Sequence, residues 1–379
     1  MEQMSKIVKV ILLLSAVCCV YSTIAPQTLR PLNHYFKAGS GMPTREELKH
    51  YFKQWHAKHG NADITPTADR EAVFIKKVND IIRHNQNPHK TFTRGVNKFT
   101  GRYNSELIGA TLMKPQTCQM SSAPIKKSAG PVGVKGSFFD WRDKSVVTPI
   151  RDQKNCGASY AFAAAAAVES HWGIRTGVPP VLTSEQQSID CSANFGNSGC
   201  DGGLPFKAFN YLQNANGLST ENTYPFENQG GSCRFKQQNI YARVYNGTAN
   251  IHPGDEQAIY QALSTFGPIA VGMMVGDDFL TYDGGIYQSS TCQSGQTVNH
   301  ALTIIGYGTD SNTGLDYWIG KNSWGTQWGE EGYVRIIRGK NMCGIANCAS
   351  YPNMNYTSPV TKSSHITQDE DSNVILAME

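Results

Sequence analysis

The sequence predicts an α+β protein. A domain of two lobes, helical in its first part and strand-rich in its second, follows a helical leading segment. Three observations carry this. The run "AFAAAAAVES" (Ala161 to Ser170) is built on alanine, the strongest helix former, whose small side chain lets other elements approach closely. From about Ile269 onward, "GPIAVGMMV", "NHALTIIGYG", "DYWIGKNSWG" and "GYVRIIRG" are strand-like runs split by glycine. Upstream, "EELKHYFKQWHAKH" (Glu46 to His59) and "REAVFIKKVNDIIRHN" (Arg70 to Asn85) have helical periodicity. A helical part followed by a strand-rich part is the order of an α+β domain.

Taken in order, residues 1–22 are a signal peptide. Lys6 and Lys9 precede an apolar run, Val10 to Val20, that is too short to span a bilayer, and small Ser22 follows as the last residue before cleavage. Residues 23–43 are an irregular lead-in. Residues 44–112 form the leading segment, with Val73, Phe74, Val78, Ile81 and Ile82 as one buried stripe. Residues 113–136, rich in Pro, Gly, Ser and Lys, read as an exposed linker with a processing site. Residues 137–353 are the compact domain. Residues 354–379, with "DEDS" at the centre, are expected to be disordered.

Composition narrows the function classes. The 379 residues are 40% hydrophobic and 17% charged, which is enough to bury a core. The net charge of +4 comes without a dense Lys/Arg run, so a nucleic-acid surface is not expected. No later run is apolar enough to span a membrane, so the product is expected in a lysosomal, secretory or extracellular space. Cys18 and Cys19 leave with the signal peptide. Cys118, Cys156, Cys191, Cys200, Cys233, Cys292, Cys343 and Cys348 remain, and an oxidising compartment favours disulfides among them. Spacing alone does not fix the pairing. Cys-x-x-Cys spacing is absent, so neither a metal nor a cofactor is expected. Asn246-Gly-Thr and Asn355-Tyr-Thr are glycosylation sequons.

The chemistry centres on "QKNCGASYAF" (Gln153 to Phe162). Thiol proteolysis needs a nucleophile at a helix N-terminus, where the dipole favours an anion. It needs a His as base, a group that orients the His, and a side-chain donor for the oxyanion. Ser159 sits where the alanine-rich helix begins, and Gln153 stands six residues before it. His300 lies 141 residues further on, in "VNHALTIIGYG", and Asn322 follows in "GKNSWG".

These motifs, with "SEQQSIDC", "GCDGG" and "KNSWGTQWGEEGY" in the same order, resemble the papain family of cysteine peptidases, in the style of cathepsin L. The resemblance covers about residues 44–352. It implies a papain-like fold: a helical lobe, a β-barrel-like lobe and a helical inhibitory propeptide. It makes Gln153 the oxyanion donor, Ser159 the nucleophile position, His300 the base and Asn322 its orienter, with Trp324 shielding the Asn–His contact. It pairs Cys156 with Cys200, Cys191 with Cys233 and Cys292 with Cys343. It puts Cys348, as a free buried thiol, at the floor of the pocket for the substrate's second side chain. A disulfide from Cys348 to Cys118, which needs the linker to stay attached, is the alternative. Leu204, Pro205, Gly272 and Val298 would line the same pocket, and Gly202 and Gly203 would offer backbone hydrogen bonds to a peptide. Glu169 and Glu185 resemble a buried acid pair, one sharing a proton. The implied partners are peptide or protein ligands in the cleft and the protein's own propeptide; a monomer is expected.

The leading segment departs from the family pattern. Arg70, Phe74, Ile81 and Asn85 match its six-position motif, whereas Pro66 and Lys77 do not. In "GVNKFTG", Gly95, Asn97 and Phe99 match, and Gly101 replaces an Asp. Acid-triggered release is in doubt on that ground.

The larger departure is Ser159. A thiol near pKa 8.5 drops to roughly 3.5–7.5 beside a helix end and a His⁺ and rests as an ion pair. A serine hydroxyl does not, and must lose its proton to His300 during attack. Proteolysis is expected to fall by several powers of ten. One reading is a homologue with little or no peptidase activity and a retained peptide-binding cleft. Another is a serine-mode hydrolase or condensing enzyme, because "CGASYAF", including Tyr160, is similar to the silicateins. Silicateins carry Ser-rich sequence before the catalytic His, and "SSTCQSGQ" is a diluted version of it. A third is a structural matrix protein on a peptidase fold. An engineered Cys→Ser trap has little support beside the natural signal peptide, Tyr160 and the eroded propeptide motifs.

Overall fold

The computed structural model describes residues 29–60, 64–120, 137–292 and 295–354. The expected signal peptide, the linker from 121 to 136, and Asn355 with the tail after it lie outside the described residues.

The leading segment has its own apolar core. Helix α1 (Arg45–His59) starts at a capping box in which Thr44 and Glu47 satisfy each other's backbone N–H. Helix α2 (Ala68–Gln86) starts at a Thr67 cap. Tyr51, Phe52 and Trp55 of α1 bury against Phe74, Val78 and Ile82 of α2, and Val73 is only half-buried at the margin. The lead-in has more order than its composition suggests. A 3-10 turn (Leu32–Phe36) buries Tyr35 in the same core, and the Tyr35 hydroxyl donates to Glu47 at 2.7 Å. Strand β1 (Phe92–Arg94) and the short helix α3 (Asn104–Leu107) follow. Arg70 forks onto Glu106 at 2.9 and 2.6 Å, which fixes α3 to α2.

Strand β2 (Gln116–Thr117) precedes the domain, which opens with β3 (Phe139–Asp140), then three helices: α4 (Ser159–Thr176), α5 (Glu185–Cys191) and α6 (Pro205–Asn214). Short strands β4 (Leu218–Ser219), β5 (Ile240–Ala242) and β6 (Thr248–Asn250) lead to α7 (Glu256–Thr265). The strand-rich part comprises β7 (Ile269–Met273), the short helix α8 (Asp277–Leu280), β8 (Tyr282–Tyr287), β9 (Thr297–Val298), β10 (His300–Thr309), β11 (Asp316–Lys321), β12 (Tyr333–Ile337) and β13 (Cys348–Pro352).

Helix α4 is buried on every face from Ser159 to His171, and the run from Ala161 to Val168 is apolar all round. Its alanines let β10 approach until Thr303 donates to the Ala163 carbonyl at 3.1 Å. The helix ends at Gly177, whose φ of +71° closes it in the left-handed region.

The large sheet runs β1-β8-β12-β11-β10-β7-β13-β6, with β3 paired to β10 as its ninth strand. The β12–β8 pair is parallel. Among the described residues the sheet stays open, which corrects the expected barrel-like lobe. Its two edges do not meet, because β6 ends one side and the leading segment's β1 occupies the other. At that seam Gly285 has φ +92°, and an added Cβ would lie 2.7 Å from the Thr91 carbonyl oxygen. Only glycine lets the two strands close there.

Gly101 lies against the Trp55 ring, and any Cβ built there would overlap it. Trp55 in turn donates from Nε1 to the Asn97 carbonyl at 2.7 Å. Restoring the acid with Gly101→Asp should therefore overpack the segment by about 1–3 kcal/mol rather than rebuild a trigger. Urea unfolding of the full chain, followed by tryptophan fluorescence, checks this; an unchanged or higher midpoint contradicts it.

Candidate active site

Ser159 is the first residue of α4, with Ala158 at the cap. The Cys156–Cys200 disulfide holds the loop before it against the turn that carries Gly202. The Ser159 hydroxyl oxygen accepts from the Ala301 N–H at 3.1 Å, which ties α4 to the start of β10. His300 begins β10, and its Nε2 lies 2.8 Å from Asn322 Oδ1. That oxygen also accepts the Ser323 N–H at 2.8 Å. Asn322 Oδ1 is therefore an acceptor, and His300 carries its proton on Nε2 and a lone pair on Nδ1. Among the described residues Nδ1 has no hydrogen-bond partner. Trp324 covers the ring with centroids 4.4 Å apart, and Phe99 of the leading segment meets Trp324 edge-on at 5.1 Å. This burial pushes His300 down to about 4, against the Asn322 hydrogen bond.

The Gln153 side chain is fully buried. Its Nε2 donates to the Thr111 carbonyl at 3.0 Å and to the Cys156 carbonyl at 2.8 Å. Its Oε1 accepts from the Ser323 hydroxyl at 2.7 Å. Ser323 is a supporting residue that the motif reading missed; its place beside Asn322 was the available signal.

The chain's own backbone runs through the cleft as far as it is described, so residues 113–118 are paired there instead of lying exposed as expected; the rest of the expected linker, 121–136, is outside the described residues. Thr111 presents its carbonyl to Gln153. The Met113 N–H donates to the Asn299 carbonyl at 2.8 Å, and the Lys114 N–H to the Asp201 carbonyl at 2.9 Å. Strand β2 then pairs with β9, Gln116 opposite Val298. Met113 is fully buried in a cluster with Leu204, Val298, Ala301 and Cys348. The thioether side chain of Met113 fills the pocket that was expected to take a substrate side chain.

Cys348 is not a free thiol. It is bonded to Cys118, with Cα atoms 5.9 Å apart. The β2–β9 pairing carries Cys118 to the pocket floor, so the disulfide depends on that backbone ladder. Cysteine parity was the signal: three pairs taken from eight residues leave two. The Cys191–Cys233 and Cys292–Cys343 bonds are also present.

The glycines divide. Gly202 has φ +131°, and an added Cβ would sit 2.9 Å from Met113 Cβ. At Gly272 an added Cβ would sit 3.2 Å from both Cys348 and Val298. Gly203 faces inward instead, where a Cβ would overlap Asn197. Pro205 is buried as the first residue of α6. Backbone bonds to the cleft-filling segment come from Asp201, Gln296, Asn299 and strand β9 rather than from Gly202 or Gly203.

Glu169 on α4 and Glu185 at the start of α5 each have a basic counterpart. Glu169 accepts from Thr183 N at 2.6 Å and from the Thr148 hydroxyl, which Lys321 Nζ contacts at 2.8 Å. Glu185 takes a forked pair from Arg151 at 3.1 Å each. Both carboxyls are pushed up by burial, Glu185 to about 8. Asn246 is exposed, and its N–H donates to the Asn353 carbonyl at 3.0 Å. Among the described residues no group of three His, Cys, Asp or Glu could hold a metal ion, and no helix is long and apolar enough to cross a membrane.

A histidine held below its usual value near 6.5 binds fewer protons than the same ring in water. Covering of His300 by the leading segment is thus fully favoured above about pH 6.5 and weakens as pH falls toward 4. His59 and His84, also lowered by burial, add in the same direction. Glu106, held low first by its Arg70 hydrogen bond, adds to the loss only once pH falls below the usual carboxylate range. Hydrogen exchange over residues 92–112, corrected for intrinsic rate, should show protection falling between pH 7 and 4.5. Constant or rising protection would contradict this.

Comparison with known proteins gives a consistent picture. The sequence pattern described as papain family cysteine protease matches residues 136–353. Pro-cathepsin H of Bos taurus is 39% identical over 308 residues, covering 80% of this chain and 90% of that protein. A cathepsin L-like proteinase of Fasciola hepatica is 38% identical over 314 residues, covering 82% and 94%. The solved structure of digestive procathepsin L 3 of the Tenebrio molitor larval midgut superposes with a TM-score of 0.70 at 34% identity, covering 80% of this chain and 98% of that one.

Proposed function

The chain belongs to the papain family of cysteine proteases, and from that premise we propose that it has given up thiol proteolysis and retains the cleft as a peptide-binding site. The observation that carries this reading is the state of Ser159. Its oxygen accepts the Ala301 N–H, and His300 Nδ1 is without a partner among the described residues. In the thiol version of this site the nucleophile rests as an anion at the helix end beside a charged imidazolium. A serine hydroxyl stays neutral there, and a neutral pair gains little from the α4 dipole. Gln153, Asn322 and Trp324 then hold a peptide carbonyl and a histidine in place without a charged attacker. Gln153 already donates to one such carbonyl, that of Thr111.

A serine-mode hydrolase or condensing activity is the second reading, and one observation favours it. A general base for a hydroxyl must be neutral, and burial keeps His300 neutral with its Nδ1 lone pair available.

The tether shapes either function. A cut within 121–136 and another upstream of Met113 would leave the segment around Cys118 held by its disulfide to Cys348. Met113 would still fill the apolar pocket, and a peptide would have to enter from the side that the segment leaves open. The secretory route implied by the leader suits a protein with four disulfides among its described residues. Its ligands are then peptides or proteins of that route and its own leading segment, bound by a monomer with Asn246 exposed for glycosylation.

The test is Ser159→Cys in the natural chain, assayed on a fluorogenic peptide after linker cleavage. Restoring the thiol should raise hydrolysis on the order of 10³-fold or more, with the natural chain near background. Equal rates in the two forms would overturn the reading. Non-reducing gels should show the segment around Cys118 leaving the processed domain only after reductant is added.

A further inference from the structure

A cavity of about 20 Å³ lies behind the nucleophile helix, lined by Glu169, Glu185, Lys321, Asn322 and Ser323 among others. That is about the space one water requires, and a water also requires two to four polar partners. The side chains around it supply them. Asn322 is 3% exposed, and its Nδ2 has no hydrogen-bond partner among the described residues. Lys321 is buried, and its Nζ reaches Thr148 at 2.8 Å, which leaves ammonium hydrogens to donate elsewhere. Each Glu185 oxygen accepts one bond from Arg151 and has a further lone pair.

We propose that one structural water occupies this cavity, accepting from Asn322 Nδ2 and Lys321 Nζ and donating to the Glu185 carboxylate. It joins the buried charge cluster to the amide that orients His300. With its Nδ2 bonded to the water, Asn322 keeps Oδ1 turned to His300 Nε2 and the Ser323 N–H. Lys321 is then a positioning residue that acts on the base through the water and Asn322. Burial pushes Glu185 up to about 8 and Lys321 down. The assignment does not depend on whether Ser159 reacts, because its readout is the His300 ring.

The test uses the full chain. A high-resolution crystal structure should show a water within hydrogen-bond distance of Asn322 Nδ2, Lys321 Nζ and Glu185. Nitrogen-15 spectra at neutral pH should show a slowly exchanging His300 Nε2–H resonance. Lys321→Met should abolish that resonance by freeing the amide, whereas Glu185→Gln, which keeps an acceptor oxygen, should retain it. A purely structural lysine would lower the melting temperature and leave the resonance in place. A dry cavity, or an unchanged resonance in folded Lys321→Met, overturns the proposal. Should Lys321→Met fail to fold, the crystal structure of the natural chain decides alone.

Discussion

The site depends on how closely α4 lies against β10. The helix carries Ser159 and the strand carries His300, so the two groups meet only if helix and strand nearly touch. Alanine at five successive positions, Ala163 to Ala167, makes that possible, because any longer side chain facing β10 would hold the strand away. Two bonds mark the contact: Ala301 N–H to the Ser159 oxygen and Thr303 Oγ1 to the Ala163 carbonyl. Gln153, Asn322 and Trp324 are arranged around this contact. A chain that kept the motifs but not the alanines would separate them.

The leading segment is built into the same arrangement. It donates β1 to the sheet edge, Phe99 to the Trp324 lid, the Thr111 carbonyl to Gln153 and Met113 to the apolar pocket. Among its ion pairs to the domain, Lys114–Asp201 is exposed and Lys98–Asp152 half-buried, at 2.7 Å each, and they add little compared with the buried apolar contacts. Erosion of the acidic position at Gly101 therefore leaves the docking intact, since the docking rests on aromatic packing and backbone pairing.

The sequence made some of this legible and left the rest hidden, for physical reasons. The alanine helix, the cap position of Ser159 and the strand runs are local, so composition and spacing reveal them. Gln153, His300 and Asn322 were found through short motifs whose neighbours set their backbone. The Cys118–Cys348 bond spans 230 residues and depends on β2 pairing with β9, which nothing in the Pro- and Ser-rich local sequence announces. The inward face of Gly203 depends on where Asn197 packs, and the open sheet depends on which strand takes each edge. Both are long-range facts that a motif does not encode.

On the function proposed above, Ser159 stands in an assembled site without acting as a nucleophile. Intact-protein mass spectrometry of the processed chain, exposed to an activated acetyl ester at pH 8, tests it most directly. No acetyl group is expected on Ser159, with only slow labelling of surface lysines that His300→Ala leaves unchanged. An acetyl adduct mapped to Ser159 and lost in His300→Ala would contradict it.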